Sequence, residues 1–98
     1  MTINQFKNGN NLTVIPGERL DSATSGEFQD FLTENFTADV EKLTLDFSQV
    51  DFISSKGLRV LVSTYKGLEG RKMEIINANA SVKEVLRLSG LLKIFDVK

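Results

Sequence analysis

In the stretch DFISSKGLRVLV, residues 51 to 62, two hydroxyls, Ser54 and Ser55, stand directly before an ammonium group, Lys56, and a glycine, Gly57. A serine hydroxyl attacks a substrate only when a base activates it, but unaided it is a good acceptor for a phosphoryl group delivered by another enzyme. The chain contains no His and no Cys. The usual general base, the thiolate nucleophile and the commonest metal ligand are therefore all missing. There is also no Gly-rich phosphate loop of the form G-x-x-x-x-G-K-[ST]. The sequence thus predicts that no catalysis resides in the chain, and that it holds no cofactor and no metal.

Asp46 opens a different chemistry, phosphotransfer onto an aspartate at the end of an apolar strand, with Ser55 and Lys56 following. That reaction needs magnesium held by several carboxylates. No acidic pair follows the first strand, so this reading ranks low.

The frame that must hold these residues is small. A chain of 98 residues with 41% apolar and 26% charged residues matches a single globular domain, residues 1–98, rather than two. Twelve basic against thirteen acidic residues leave a net charge of −1, without the basic footprint of a nucleic-acid or anionic-membrane binder. The first residues lack the apolar core of a secretory signal, and no run approaches the ~20 apolar residues of a membrane span. A soluble, cytoplasmic protein is expected, with no membrane insertion.

The pattern of apolar residues supplies the elements. Leu12 and Val14 alternate with polar neighbours before Ile15, a half-buried strand, and residues 3–6 are its expected hairpin partner across Asn8-Gly9. A helix should start near Ser22, capped by Asp21 or by Thr24 with Glu27 closing a capping box, and bury Phe28, Phe31, Leu32 and Phe36. Residues 43–47 alternate as a strand, and Val50, Phe52 and Ile53 extend the apolar signal to the serines. From Leu58 the spacing becomes helical through Leu61, Val62, Tyr65 and Leu68, with Gly70 as a stop. Residues 73–76 read as a further strand. Ser81 to Glu84 matches a capping box that opens a third helix bearing Val82, Val85 and Leu86. Residues 93–97 are a possible edge strand. The expected fold is α/β, a mixed sheet of four to five strands with three to four helices packed against it. Its expected core includes Leu45, Phe47, Leu58, Leu61, Val62, Ile75 and Leu86.

In this layout the two serines lie where a buried strand passes into a helix. One of them can cap the free amides, and that function alone would account for a serine there. The same helix start also tolerates an anion, so a phosphate would leave the fold intact while adding about 1.5 to 2 negative charges to the surface. Gly57 would let another backbone come close.

At this point the residues carry a family resemblance. LTLDFSQVDFISSKGLRVLVSTYK, preceded by GERLDSAT and followed by RLSGLLKIFDV, resembles the STAS domain of bacterial anti-sigma factor antagonists over about residues 12 to 97. The resemblance implies a regulatory domain that binds an anti-sigma factor of serine-kinase fold and so frees a sigma factor. The partner phosphorylates a serine near the start of the second helix, and a serine phosphatase removes the phosphate. The matching position is Ser55, with Ser54 as the alternative acceptor or the cap. Where the family pattern has an Asp before the acceptor and Ser or Thr after it, this chain has Ser54 and Lys56. Asp21, Asp46 and Ser48 match positions at the same end of the sheet, so the implied docking surface comprises them with Ser54, Ser55, Lys56 and Gly57. Domains of this type also serve as non-switching adaptor subunits of transport or stress-signalling assemblies, in which the serines would only cap and pack.

Overall fold

The computed structural model describes residues 2–94 and 96–98. The chain runs β1 (Asn4–Asn8), β2 (Asn11–Ile15), β3 (Arg19–Leu20), α1 (Ser25–Asn35), β4 (Lys42–Asp46), β5 (Phe52–Ile53), α2 (Ser55–Gly67), β6 (Lys72–Ile76), α3 (Ala80–Leu88), a 3-10 turn (Leu91–Lys93) and β7 (Asp96–Val97). The expected hairpin is present: β1 and β2 pair antiparallel around Gly9, whose φ of 61° is the left-handed value such a tight turn requires. Every later pair in the five-stranded sheet, of order β1-β2-β4-β6-β7, is parallel. The crossovers step in one direction, and right-handed connections then gather the helices on one face.

Against that face the strands present Leu12, Val14, Leu43, Leu45 and Ile75, which join Phe28 and Leu32 of α1, Leu61 of α2 and Leu86 of α3 in one core. The other side of the sheet carries a polar row in which Thr13 pairs with Thr44 and Thr44 with Glu74. Glu74 accepts hydrogen bonds from Thr44 at 3.2 Å and ion-pairs with Lys42 at 3.2 Å and Lys98 at 2.8 Å.

Four expectations are corrected. The first helix starts at Ser25, not Ser22, and its capping box does not form: Thr24 occupies the cap position, but its hydroxyl turns back to the Arg19 carbonyl and the Asp21 amide. The third helix starts at Ala80 and is capped by Asn79, whose side-chain oxygen accepts from the Val82 amide at 2.8 Å. Ser81 therefore lies inside the helix, and Glu84 pairs with Arg87 instead. The buried face of α2 is Gly57, Val60 and Leu61, with Leu68 just beyond it; Leu58 and Val62 are half-buried and Tyr65 is exposed. The stripe is rotated because Gly57, without a side chain, lets the helix turn that edge into the core. Finally, the C-terminal segment is divided into the 3-10 turn and the two-residue β7, and Phe95, part of the expected edge strand, lies outside the described residues.

Candidate functional site at the start of the second helix

β3 and β5, two residues each, form a separate two-stranded parallel sheet that pairs Arg19 with Phe52 and Leu20 with Ile53. Strands this short have no readable period, and the sequence signal at Phe52-Ile53 marked only a connection. Their pairing draws the segment before α1 against the start of α2. The Ser54 amide donates to the Leu20 carbonyl at 2.8 Å, continuing the ladder by one residue.

The two serines then take different positions. Ser54 is half-buried and extended (φ −94°, ψ 176°), and its hydroxyl accepts from the Gly57 amide at 3.4 Å, the geometry of an N-cap. Ser55 is the first residue of α2 and is exposed, as is Lys56. Gly57 is buried, and the backbone it admits is the chain's own: a Cβ at this position would meet the Leu20 carbonyl oxygen at 2.6 Å and Ile53 Cγ1 at 2.7 Å. Its lack of a side chain serves the packing of α2 onto β3 and β5.

Asp21 forms an Asx turn before α1, accepting from the Ala23 and Thr24 amides at 2.9 and 3.2 Å and from Arg19 Nε at 3.1 Å. The Arg19 hydrogen bond, helped by these amides, holds its carboxyl below the ordinary value. Arg19 in turn stacks over Phe52, 4.6 Å from the ring centroid, and Phe52 is 42% exposed. Asp46 ends β4 with its Oδ1 accepting from the Ser48 amide at 2.9 Å and from Asn77 at 3.2 Å. Partial burial raises the Asp46 pKa, but these bonds outweigh it and the net shift is downward. Both aspartates thus stay ionised while organising turns.

The structure brings Asp21 and Ser48 to one groove, which they share with Arg19, Thr24 and Gln49. Lys56 lines another, between α1 and α2. Arg19, Leu20 and Phe52 are not site candidates in the sequence, where Phe52 reads only as part of an apolar run, because their role depends on the β3–β5 pairing. Among the described residues no group of three or more acidic side chains could hold a metal ion, and no helix is long and apolar enough to cross a membrane.

The sheet order, the helices on one face and the exposed serine at the second helix start define a small α/β domain of recognisable type. The chain belongs to the STAS domain family, whose model matches residues 3–98. Among its relatives is BtrV of Bordetella bronchiseptica, named as an anti-sigma factor antagonist, 31% identical over 80 residues that make up 80% of this chain and 69% of BtrV. The solved anti-sigma factor antagonist from Mycobacterium paratuberculosis superposes with a TM-score of 0.85 at 23% identity, covering 98% of this chain and 85% of that one. The anti-sigma factor antagonist SpoIIAA in its unphosphorylated form gives 0.82 at 17% identity, covering 99% and 88%, and Bacillus SpoIIAA in the phosphorylated form gives 0.75 at 15%, covering 99% and 91%. These structural likenesses establish the shared fold.

Proposed function

We propose that this chain is an anti-sigma factor antagonist in a bacterial partner-switching pathway. Its unphosphorylated form binds an anti-sigma factor of serine-kinase fold, which then releases a sigma factor; phosphorylation of Ser55 ends the binding, and a serine phosphatase restores it. The chain is the regulated ligand in this cycle and performs no catalysis itself.

The observation that carries the reading is the division of labour between the adjacent serines. The Ser54 hydroxyl accepts the cap bond, whereas Ser55 is exposed on the first turn and its side chain makes no hydrogen bond among the described residues. The relationship to BtrV and the existence of SpoIIAA in two phosphorylation states support it. A phosphate on Ser55 would sit favourably at the positive end of α2, so the domain survives modification. Its charge and hydration would be set against a surface that a partner must dry, so the complex does not. Asp21, Asp46, Ser48 and Lys56 would border that surface. Gly57 would contribute by setting the height of the helix start, since its own surface is buried.

The test is incubation with the cognate kinase and ATP followed by phosphosite mapping, together with binding titrations of Ser55→Ala and Ser55→Asp. Labelling at Ser55, near-normal binding by Ser55→Ala and weakened binding by Ser55→Asp are expected. Labelling confined to Ser54 would move the switch by one residue. No labelling, with normal binding by Ser55→Asp, would leave a non-switching adaptor.

A further inference from the structure

β1 lies at one edge of the five-stranded sheet, and all five of its residues are exposed. The strand beside it fixes which backbone groups face outward. The Asn10 carbonyl accepts from the Glu41 and Lys42 amides, so the even-numbered residues of β2 turn their backbone groups towards β4 and the odd-numbered ones towards β1. The register pairs Asn11, Thr13 and Ile15 with Asn8, Phe6 and Asn4, which leaves the amides and carbonyls of Gln5 and Lys7 pointing away from the sheet. Two donors and two acceptors thus stand at alternate residues of an open edge.

Such an edge is ordinarily shielded by a covering element, a bulge or an outward charge. Among the described residues β1 has none of these: its register runs unbroken from Asn4 to Asn8, and its one charged side chain, Lys7, is turned to Asp39 of the same chain. Gln5 likewise bonds to Asn35, at 3.0 Å. Phe6, opposite Thr13 on the open side of the sheet, is 63% exposed.

On the helix side the edge is flanked by α1, which runs in the same direction as β1: Ile3 shares a groove with Phe31, Gln5 meets Asn35 and Lys7 meets Asp39. That groove, about 560 Å³, is lined by Ile3 and Phe31 and by the acids Glu27, Asp30 and Glu34, with no cation among its described residues. Asp30 and Glu34 are exposed and form no ion pair among the described residues. About one helical turn separates them, a rise of about 6 Å, close to the ~6.8 Å repeat of side chains two apart on a strand.

We infer that β1 accepts an extended basic segment of a partner protein as a sixth strand of the sheet. The backbone of that segment completes the bonds offered by Gln5 and Lys7. Two Lys or Arg side chains at alternate positions reach Asp30 and Glu34 on the helix side, and the apolar residue between them covers Phe6 on the other. A second copy of this chain is the poorer occupant, because pairing β1 with itself about a two-fold axis sets two acidic rows on the same side of the joint sheet and against each other. This edge site stands or falls without the Ser55 switch.

The test is titration of the intact, unphosphorylated chain with the end-blocked peptide Lys-Val-Lys-Val-Lys at low salt, followed by amide chemical shifts and hydrogen exchange. Saturable shifts along β1 are expected, with new protection at the Gln5 and Lys7 amides and none gained at Phe6, which is already bonded to β2. Two N-methylated peptides identify strand addition, because alternate residues of a strand aim their amides at opposite sides. Methylating the amides of one set, lysines or valines, should abolish binding, and methylating the other set should leave it nearly unchanged. Asp30→Asn combined with Glu34→Gln, both at exposed positions, should weaken binding about tenfold while the melting temperature stays close to the original. Equal affinity for Glu-Val-Glu-Val-Glu, equal binding by both methylated peptides, or shifts that never saturate would overturn the proposal. So would protection of Gln5 and Lys7 that rises with protein concentration in the absence of peptide, which would make a second copy the occupant.

Discussion

Gly57 and Leu20 are in such close contact that a methyl group on Gly57 would lie 2.6 Å from the Leu20 carbonyl oxygen, the same oxygen that accepts the Ser54 amide at 2.8 Å. One carbonyl therefore sets both the height of the α2 start and the position of its cap. Gly57→Ala should lower stability by about 1–3 kcal/mol, because the obstruction is backbone and cannot rotate away. Chemical denaturation checks this. A stability within error of the original would mean that β3 and α2 separate easily.

The two serines should respond unequally to substitution. Ser54→Ala should cost about 0.5–1 kcal/mol, towards the low end for a cap because its 3.4 Å bond is long. Ser55→Ala should leave thermal stability nearly unchanged. Equal losses in the two melting curves would contradict the assignment of the cap to Ser54 alone.

Arg71 closes the far end of α2 by donating to two separate stretches of backbone. Its Nε reaches the Leu68 carbonyl and its Nη1 the Val40 carbonyl, both at 2.8 Å, and the guanidinium stacks 4.2 Å from the Phe36 ring centroid. Lysine keeps the charge but lacks the planar fork. Arg71→Lys should therefore cost about 1–3 kcal/mol, read from urea unfolding. Retention of full stability would show that charge alone suffices there.

On the open side of the sheet, Glu74 is 12% exposed and held by Lys98, Lys42 and Thr44. The Lys98 bond, with the Lys42 and Thr44 bonds, outweighs burial and places its pKa below the ordinary 4.5. A carboxyl depressed on folding contributes stability above its unfolded pKa, and that contribution is lost as pH falls through the folded value. Melting temperature should thus decline as pH is lowered from about 5 towards 3. Glu74→Gln should start lower at pH 7 and show a shallower decline. Parallel pH profiles for the two proteins would exclude Glu74 as a source of the acid sensitivity.

Much of this molecule follows from local pattern. The alternation of Leu12 with Val14 and of Leu43 with Leu45 is enough to specify strands with one apolar face, because residues two apart share a face whatever lies opposite. The helical spacing after Ser55 and the serine pair before it likewise specify a helix start, since free amides must be met by something nearby. The cap bond that does not form at Thr24 and the cap misplaced at Ser81 show the limit of that logic. Several short polar residues stood within reach of each helix start, and the path of the preceding chain selected Asn79 for α3 and left α1 without a side-chain cap.

What tertiary structure alone decided lies in contacts between distant segments. The pairing of Arg19-Leu20 with Phe52-Ile53 involves strands too short to have a period, yet it buries Gly57, rotates the core face of α2 and separates the functions of Ser54 and Ser55. The groove that places Asp30 and Glu34 beside Ile3, at the start of the edge strand β1, is equally invisible in the chain, where two surface carboxylates on a helix are ordinary. Periodicity reports which side of an element faces the core; it carries no information about which other element arrives there. That depends on the packing of whole helices and strands, in which a missing Cβ at Gly57 brings two segments into direct backbone contact.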